Sequence, residues 1–273
     1  MKPSDYWNEV LKRDPRLSET CVPSRFQRRG QDADTAFDHN TRPLIRTVGQ
    51  EQARLPEASP QIHLSSRENE VHSDRCQRYT VWIDGVGAWQ LLIGRNFLVG
   101  APTLESDEAD ISLLANISRR HATIQKIQED WFIQAHQSTV VSGRSVGDRA
   151  VLRTGDEIQL GERVRLGFRI PSVLSSSAVV DFESHHRPSQ SVNGIILMTD
   201  SCLLGPRQDY HVCCHDWPDL MILFVQDGQL RCRSRMPFRV DGEPARDIVT
   251  VTDGATVSGD EFRFRIEKMK TGR

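Results

Sequence analysis

The chain has 273 residues, 37% of them hydrophobic, with a formal net charge of −2. That length suits one or two domains, and the low apolar content implies that part of the chain is thinly packed or unfolded. A near-neutral balance argues against a protein that holds nucleic acid by bulk positive charge.

No stretch reaches the roughly 20 apolar residues that a spanning helix needs, so no membrane partner is expected. Met1-Lys2-Pro3-Ser4-Asp5 lacks the basic start and apolar run of a signal peptide, which makes a cytoplasmic address the expectation. The six cysteines are Cys21, Cys76, Cys202, Cys213, Cys214 and Cys232. None forms a C-x-x-C pair, and reduced thiols fit this scatter better than a disulfide scaffold. His211-x-Cys213-Cys214-His215 invites a metal reading. Adjacent strand residues point to opposite faces, however, so Cys213 and Cys214 would not converge on one ion, and neither a metal nor a cofactor is expected.

In chain order, residues 1–76 read as a disordered arm. Arg25 to Arg75 is rich in Gln, Arg, Asp, Glu, Ser and Pro, with isolated apolar residues in no helical or strand period. Within the arm, Trp7, Val10 and Leu11 share one face of a short helical candidate. Thr35-Ala36-Phe37-Asp38 sets an aspartate three residues after a threonine.

From Tyr79 the pattern changes. Tyr79 to Ile83 and Trp89 to Ile93 flank Asp84-Gly85-Val86-Gly87 and predict a hairpin. His121 to Ile127 and Trp131 to Ala135 are β-like on either side of Gln128-Glu129-Asp130. In Arg163 to Ile170, the residues Val164, Leu166, Phe168 and Ile170 alternate with Arg or Gly, which buries those four on one face. Pro171 ends that strand. Short strands, Gly and Asp turns and no long helical pattern predict an all-β sandwich.

Ser175-Ser176-Ser177 and His185-His186-Arg187-Pro188 give 173–192 the chemistry of a linker. Beyond it the pattern returns. Gly143, Leu152, Gly155 and Ile158 stand 99 positions before Gly242, Val251, Gly254 and Val257. Phe262, Phe264 and Ile266 then repeat the alternating terminal strand. An internal repeat is therefore expected, with a second, diverged β-sandwich over 193–270.

The run Leu91-Leu92-Ile93-Gly94-Arg95, Ala109-Asp110-Ile111-Ser112-Leu113 and Ile117-Ser118-Arg119-Arg120-His121-Ala122, followed by Leu152-x-x-Gly155-Asp156-Glu157-Ile158-x-Leu160-Gly161, resembles a forkhead-associated (FHA) domain. The resemblance spans about 78–171, giving a domain over 77–172. It implies an eleven-stranded sandwich whose loops at one end bind phosphothreonine peptides in kinase signalling. A phosphate carries nearly two negative charges and three acceptor oxygens, which arginine forks and hydroxyls match. On that pattern Arg95, Ser118 and Arg119 are the expected phosphopeptide contacts, with Gly94 and His121 supporting the loops.

His136-Gln137-Ser138-Thr139-Val140-Val141-Ser142-Gly143 departs from the family, because the loop looks shortened and its usual asparagine is absent. Ser138 and Thr139 are the expected substitutes. The second copy departs further: Leu203-Leu204-Gly205 aligns with the Ile93-Gly94 region, Pro206 replaces the arginine, and no phosphate site is expected. Two readings follow, a phosphothreonine-peptide adaptor and a phosphate-independent scaffold that uses the same fold. No Gly-rich phosphate cradle, Gly-x-Ser-x-Gly elbow or paired metal ligands at helical spacing points to an enzyme, and no catalytic residue is expected.

Overall fold

In the computed structural model the described residues are 76–103 and 109–269. The expected arm lies outside them apart from Cys76, as do the Trp7 helix and Thr35.

The predicted hairpin is present. β1 (Gln77–Ile83) pairs with β2 (Gly87–Ile93) in the register Thr80↔Gln90, and Gly85 and Gly87 take positive φ at the turn. Then come β3 (Asn96–Gly100), β4 (Ile111–Ser112), β5 (Ala122–Ile127), β6 (Asp130–Ala135), β7 (Thr139–Val141), β8 (Arg144–Ser145), β9 (Arg149–Leu152), β10 (Asp156–Leu160) and β11 (Val164–Arg169). The span expected as a linker instead carries β12 (Ala178–Phe182), and β13 (Gly194–Met198) follows. The chain ends with β14 (Ser201–Gly205), β15 (Val212–Cys213), β16 (Met221–Gln226), β17 (Gln229–Ser234), β18 (Phe238–Val240), β19 (Glu243–Ala245), β20 (Ile248–Thr250), β21 (Thr256–Ser258) and β22 (Arg263–Lys268).

These strands make three sheets. One five-stranded sheet has the order β4-β3-β5-β6-β9 and the other β15-β14-β16-β17-β20. The third is a twelve-stranded sheet, β19-β18-β21-β22-β1-β2-β13-β12-β11-β10-β7-β8, that serves both halves of the protein. Each half is an eleven-stranded sandwich, five strands from its own short sheet and six from the long one.

The repeat is visible in the strand bounds. β5, β6 and β11 recur as β16, β17 and β22 at an offset of 99. The turn conformations recur with them. Gln128 and Asp227, Ser142 and Asp241, Gly143 and Gly242, and Gly155 and Gly254 all have positive φ. Such φ values favour Gly, Asn and Asp, so the shared turn residues mark shared backbone demands.

The hairpins are exchanged between the halves. β1 and β2 precede β3 in the chain, yet β1 pairs with β22 (Val81↔Ile266) and buries Tyr79, Val81 and Ile83 in the second core. β12 and β13 precede β14, yet β12 pairs with β11 (Phe168↔Val180) and buries Ala178 and Val180 in the first core. β2 and β13 meet in parallel, Leu91↔Ile196, and join the two halves of the long sheet.

The first core centres on Trp131, whose ring lies 6.1 Å from Phe97 and 5.8 Å from Phe168. Its indole N–H donates to the Ser176 carbonyl at 2.9 Å. The serine run therefore belongs to the core wall. Asp200 holds it there, accepting from Ser175 Oγ at 2.7 Å, Ser177 Oγ at 2.9 Å and Ser176 N at 3.1 Å. Burial pushes the Asp200 carboxyl up, but the hydrogen bonds from Ser175, Ser176, Ser201 and Ser177 outweigh it and leave the group below its usual range. Three serines in a row look like linker until one acid collects them.

Candidate functional site

At one end of the first half three loops converge. Ser118, Arg119 and Arg120 are exposed between β4 and β5. His136, Gln137 and Ser138 lie between β6 and β7, and Gly161 closes β10 onto β11. The buried His121 ties these loops together. Its Nδ1 accepts the Ser118 N–H at 3.4 Å, so its Nε2 carries the proton and donates to the Ser138 carbonyl at 2.9 Å. The same carbonyl accepts the Gly161 N–H at 2.9 Å, and the His121 carbonyl accepts the N–H groups of His136 and Gln137, each at 3.0 Å. His121 thus links the Ser118, Ser138 and Gly161 loops from within the fold.

Arg95 is elsewhere. β3 runs antiparallel to β5, with Val99 opposite Ala122 and Asn96 opposite Gln125, and the Lys126 N–H donates to the Arg95 carbonyl. Ser118 lies off the start of β5, where its carbonyl accepts the Ala101 N–H at 3.1 Å. Four strand residues, about 14 Å, separate the Arg95 end of this ladder from the Ser118 end. Arg95 therefore does not join Ser118 and Arg119 in one site. The residue that follows β3 and bonds that loop through its backbone is Ala101, whose side chain is a methyl group.

The glycines tell the same story. A Cβ on Gly100 would overlap the Arg119 carbonyl oxygen, whereas a Cβ on Gly94 would meet nothing closer than 3.7 Å. Close backbone approach to the Ser-Arg loop requires glycine at position 100 and leaves position 94 free. Gly94 does not support the binding loops; it turns β2 into β3 at the far end.

Of the two residues expected to replace the missing asparagine, Ser138 is exposed at the loop tip. Thr139 is 1% exposed and its hydroxyl donates to the Gln137 carbonyl at 2.9 Å, so it faces inward and cannot reach a ligand. Gln137, exposed beside Ser138, carries the side-chain amide of this loop. The exposed side chains of this loop end are Ser118, Arg119, Arg120, His136, Gln137 and Ser138.

The corresponding end of the second half is of opposite character. β14 matches β3, since each pairs in parallel with a two-residue strand, Gly100↔Ser112 in one half and Gly205↔Cys213 in the other. Gly205 and Pro206 thus correspond to Gly100 and Ala101, and the Gly94-Arg95 turn corresponds to Thr199-Asp200. Arg207 is held by Asp209 through two contacts, at 2.8 and 2.9 Å. A cavity of about 400 Å³ at this end is lined by Asp84, Asp216, Asp260 and Glu261 over Trp217, with Arg263 as its one cation. Such carboxylates repel a phosphate.

Burial pushes the thiols of Cys76, Cys214 and Cys232 up to about 12, and that of Cys202 higher still. None of these four supplies a thiolate nucleophile near neutral pH. Cys213 Sγ lies 3.5 Å from His215 Nδ1 while Cys214 is buried, the opposed orientation expected of strand neighbours. Among the described residues no group of three metal-ligating side chains forms. No helix among them is long and apolar enough to cross a membrane.

Residues 91–161 match the family model of the FHA domain. Members of that family are, in general, protein-binding modules that recognise phosphorylated partners rather than enzymes. No curated protein matches the chain. Among solved structures, one similar chain is the N-terminal FHA domain from EssC, a component of the bacterial Type VII secretion apparatus. It is 12% identical, with 71% of this chain and 94% of that chain covered, at a TM-score of 0.20.

Proposed function

With residues 91–161 forming an FHA domain, we propose that the protein is a non-enzymatic adaptor that binds a protein partner through the loop end of its first half without requiring a phosphothreonine. The observation that carries this reading is Ala101. It occupies the position beside the Ser118 loop, while Arg95 stands at the other end of β3. A phosphate at the loop end would meet Arg119 without a second arginine from β3. Charge-assisted contacts are the strong part of phosphate recognition, and each is worth about 1.5–3 kcal/mol. Ser118, Gln137 and Ser138 offer neutral hydrogen bonding suited to a peptide backbone. The test is capture of the partner by the full chain before and after phosphatase treatment of the partner. Retained binding is expected, and loss on dephosphorylation defeats the reading.

The phosphothreonine reading keeps specific support from Ser118 and Arg119, which are neighbours and both exposed. It requires that a phosphothreonine peptide bind at least tenfold better than its unphosphorylated form, and that Arg119→Ala abolish the difference. Equal affinity for the two peptides leaves the phosphate-independent adaptor standing.

A further inference from the structure

Three central strands of the long sheet serve two cores at once. On β2, Leu92 faces the first core and Leu91 the second. On β12, Ala178 and Val180 face the first and Val179 the second. On β13, Ile195 and Leu197 face the first, Ile196 and Met198 the second. The two short sheets therefore cover opposite faces of the same three strands, as strand alternation requires.

Polar contacts cross in both directions. Arg78 on β1, a strand of the second sandwich, bonds Asp110 of the first at 3.1 Å. Asp110 in turn accepts the Leu98 N–H at 2.9 Å. From the other side, Arg169 on β11 pairs with Asp181 and reaches the His211 carbonyl at 3.3 Å. The buried His211 ring faces the Ser177 carbonyl at 3.3 Å.

From these facts we infer that the two sandwiches open as one cooperative unit, and that the second half, whose loop end is acidic, acts as the structural support of the first. Melting the second core strips β1 and β2 from the side of β13 and exposes Val179, Ile196 and Met198 to water. The first sandwich cannot keep β12 and β13 in place at that cost, because those strands close its six-stranded layer. Domains joined by a linker would open separately. A shared sheet with reciprocal hairpins couples them.

Hydrogen exchange on the full chain tests this in the regime where core amides exchange by global opening. Phe264→Ala cuts into the second core, where the Phe264 ring lies 5.9 Å from that of Trp217. Exchange over 122–135, in the first half, is expected to accelerate by the same factor as exchange over 221–234, on the order of a hundredfold or more. Acceleration confined to 221–234, with wild-type rates over 122–135, overturns the inference. If Phe264→Ala does not fold, Ile266→Val is read in the same way. It is expected to raise both segments equally by about two- to tenfold, and a rise in one segment alone again overturns it.

Discussion

Arg95 and Ser118 stand at opposite ends of the β3–β5 ladder. A residue about 14 Å from the loop tips, with its side chain in solvent, does not touch a ligand seated there. Arg95→Ala is therefore expected to leave partner affinity within about twofold of wild type, since surface substitutions away from a site stay within roughly ±0.5 kcal/mol. Arg119→Ala is expected to weaken binding several-fold. Fluorescence anisotropy with the captured partner separates the two variants. A large loss at Arg95 would put the binding surface at the other end of the sandwich.

Gly100 and Gly94 make a paired test of which glycine the Ser-Arg loop needs. Alanine at 100 puts a methyl carbon into the Arg119 carbonyl, so the loop or the strand must move. A loss of about 2–4 kcal/mol is expected, in line with steric overpacking against backbone. Alanine at 94 meets only ordinary contacts and is expected to change stability by less than about 1 kcal/mol. Chemical denaturation of the two variants reads the difference.

His121 is buried behind the loops, yet its removal should be felt at the loop tips. His121→Ala leaves the Ser118 N–H without its acceptor and takes one donor from the Ser138 carbonyl. The expected cost is about 1–3 kcal/mol in stability. Partner affinity should fall as well, because Ser118 and Ser138 lose their common anchor. His121→Gln, which keeps an acceptor and a donor, should recover part of both losses. Thermal melting and a binding titration on the same samples check this.

The fold was largely legible in the sequence. Alternation in Val164 to Phe168 and Phe262 to Ile266, and glycines repeated at an offset of 99, name strands and turns directly because both depend on local backbone geometry. The hairpin exchange was not legible. Pairing of β1 with β22 joins residues some 185 positions apart, and nothing local distinguishes it from pairing with β11. Gly94-Arg95 misled for a related reason. Gly-Arg after an apolar run looks the same at either end of a sandwich, and only the neighbours of Gly100 reveal which glycine lies against the Ser118 loop. Ser175-Ser176-Ser177 read as linker because its organiser, Asp200, is 23 residues or more away.

His211 links stability to pH. Burial disfavours its charged form and lowers its pKa from 6.5 to about 4, although the Ser177 carbonyl and Asp200 act in the opposite sense. The geometry supplies a further reason. Nδ1 accepts the Leu203 N–H at 3.0 Å, and a proton placed there would set donor against donor. With a folded pKa below the unfolded value, the unfolded chain binds more protons between pH 6.5 and 4. Stability is then fully present above pH 6.5, declines as pH falls through that window, and stops declining below about pH 4. The whole effect is on the order of 3 kcal/mol. Denaturation midpoints measured from pH 7.5 to 4.5 should show this slope. His211→Asn retains an acceptor but does not titrate, so it should be less stable at pH 7.5 and lose less on acidification. An equal acid loss in both proteins would assign the slope to other groups.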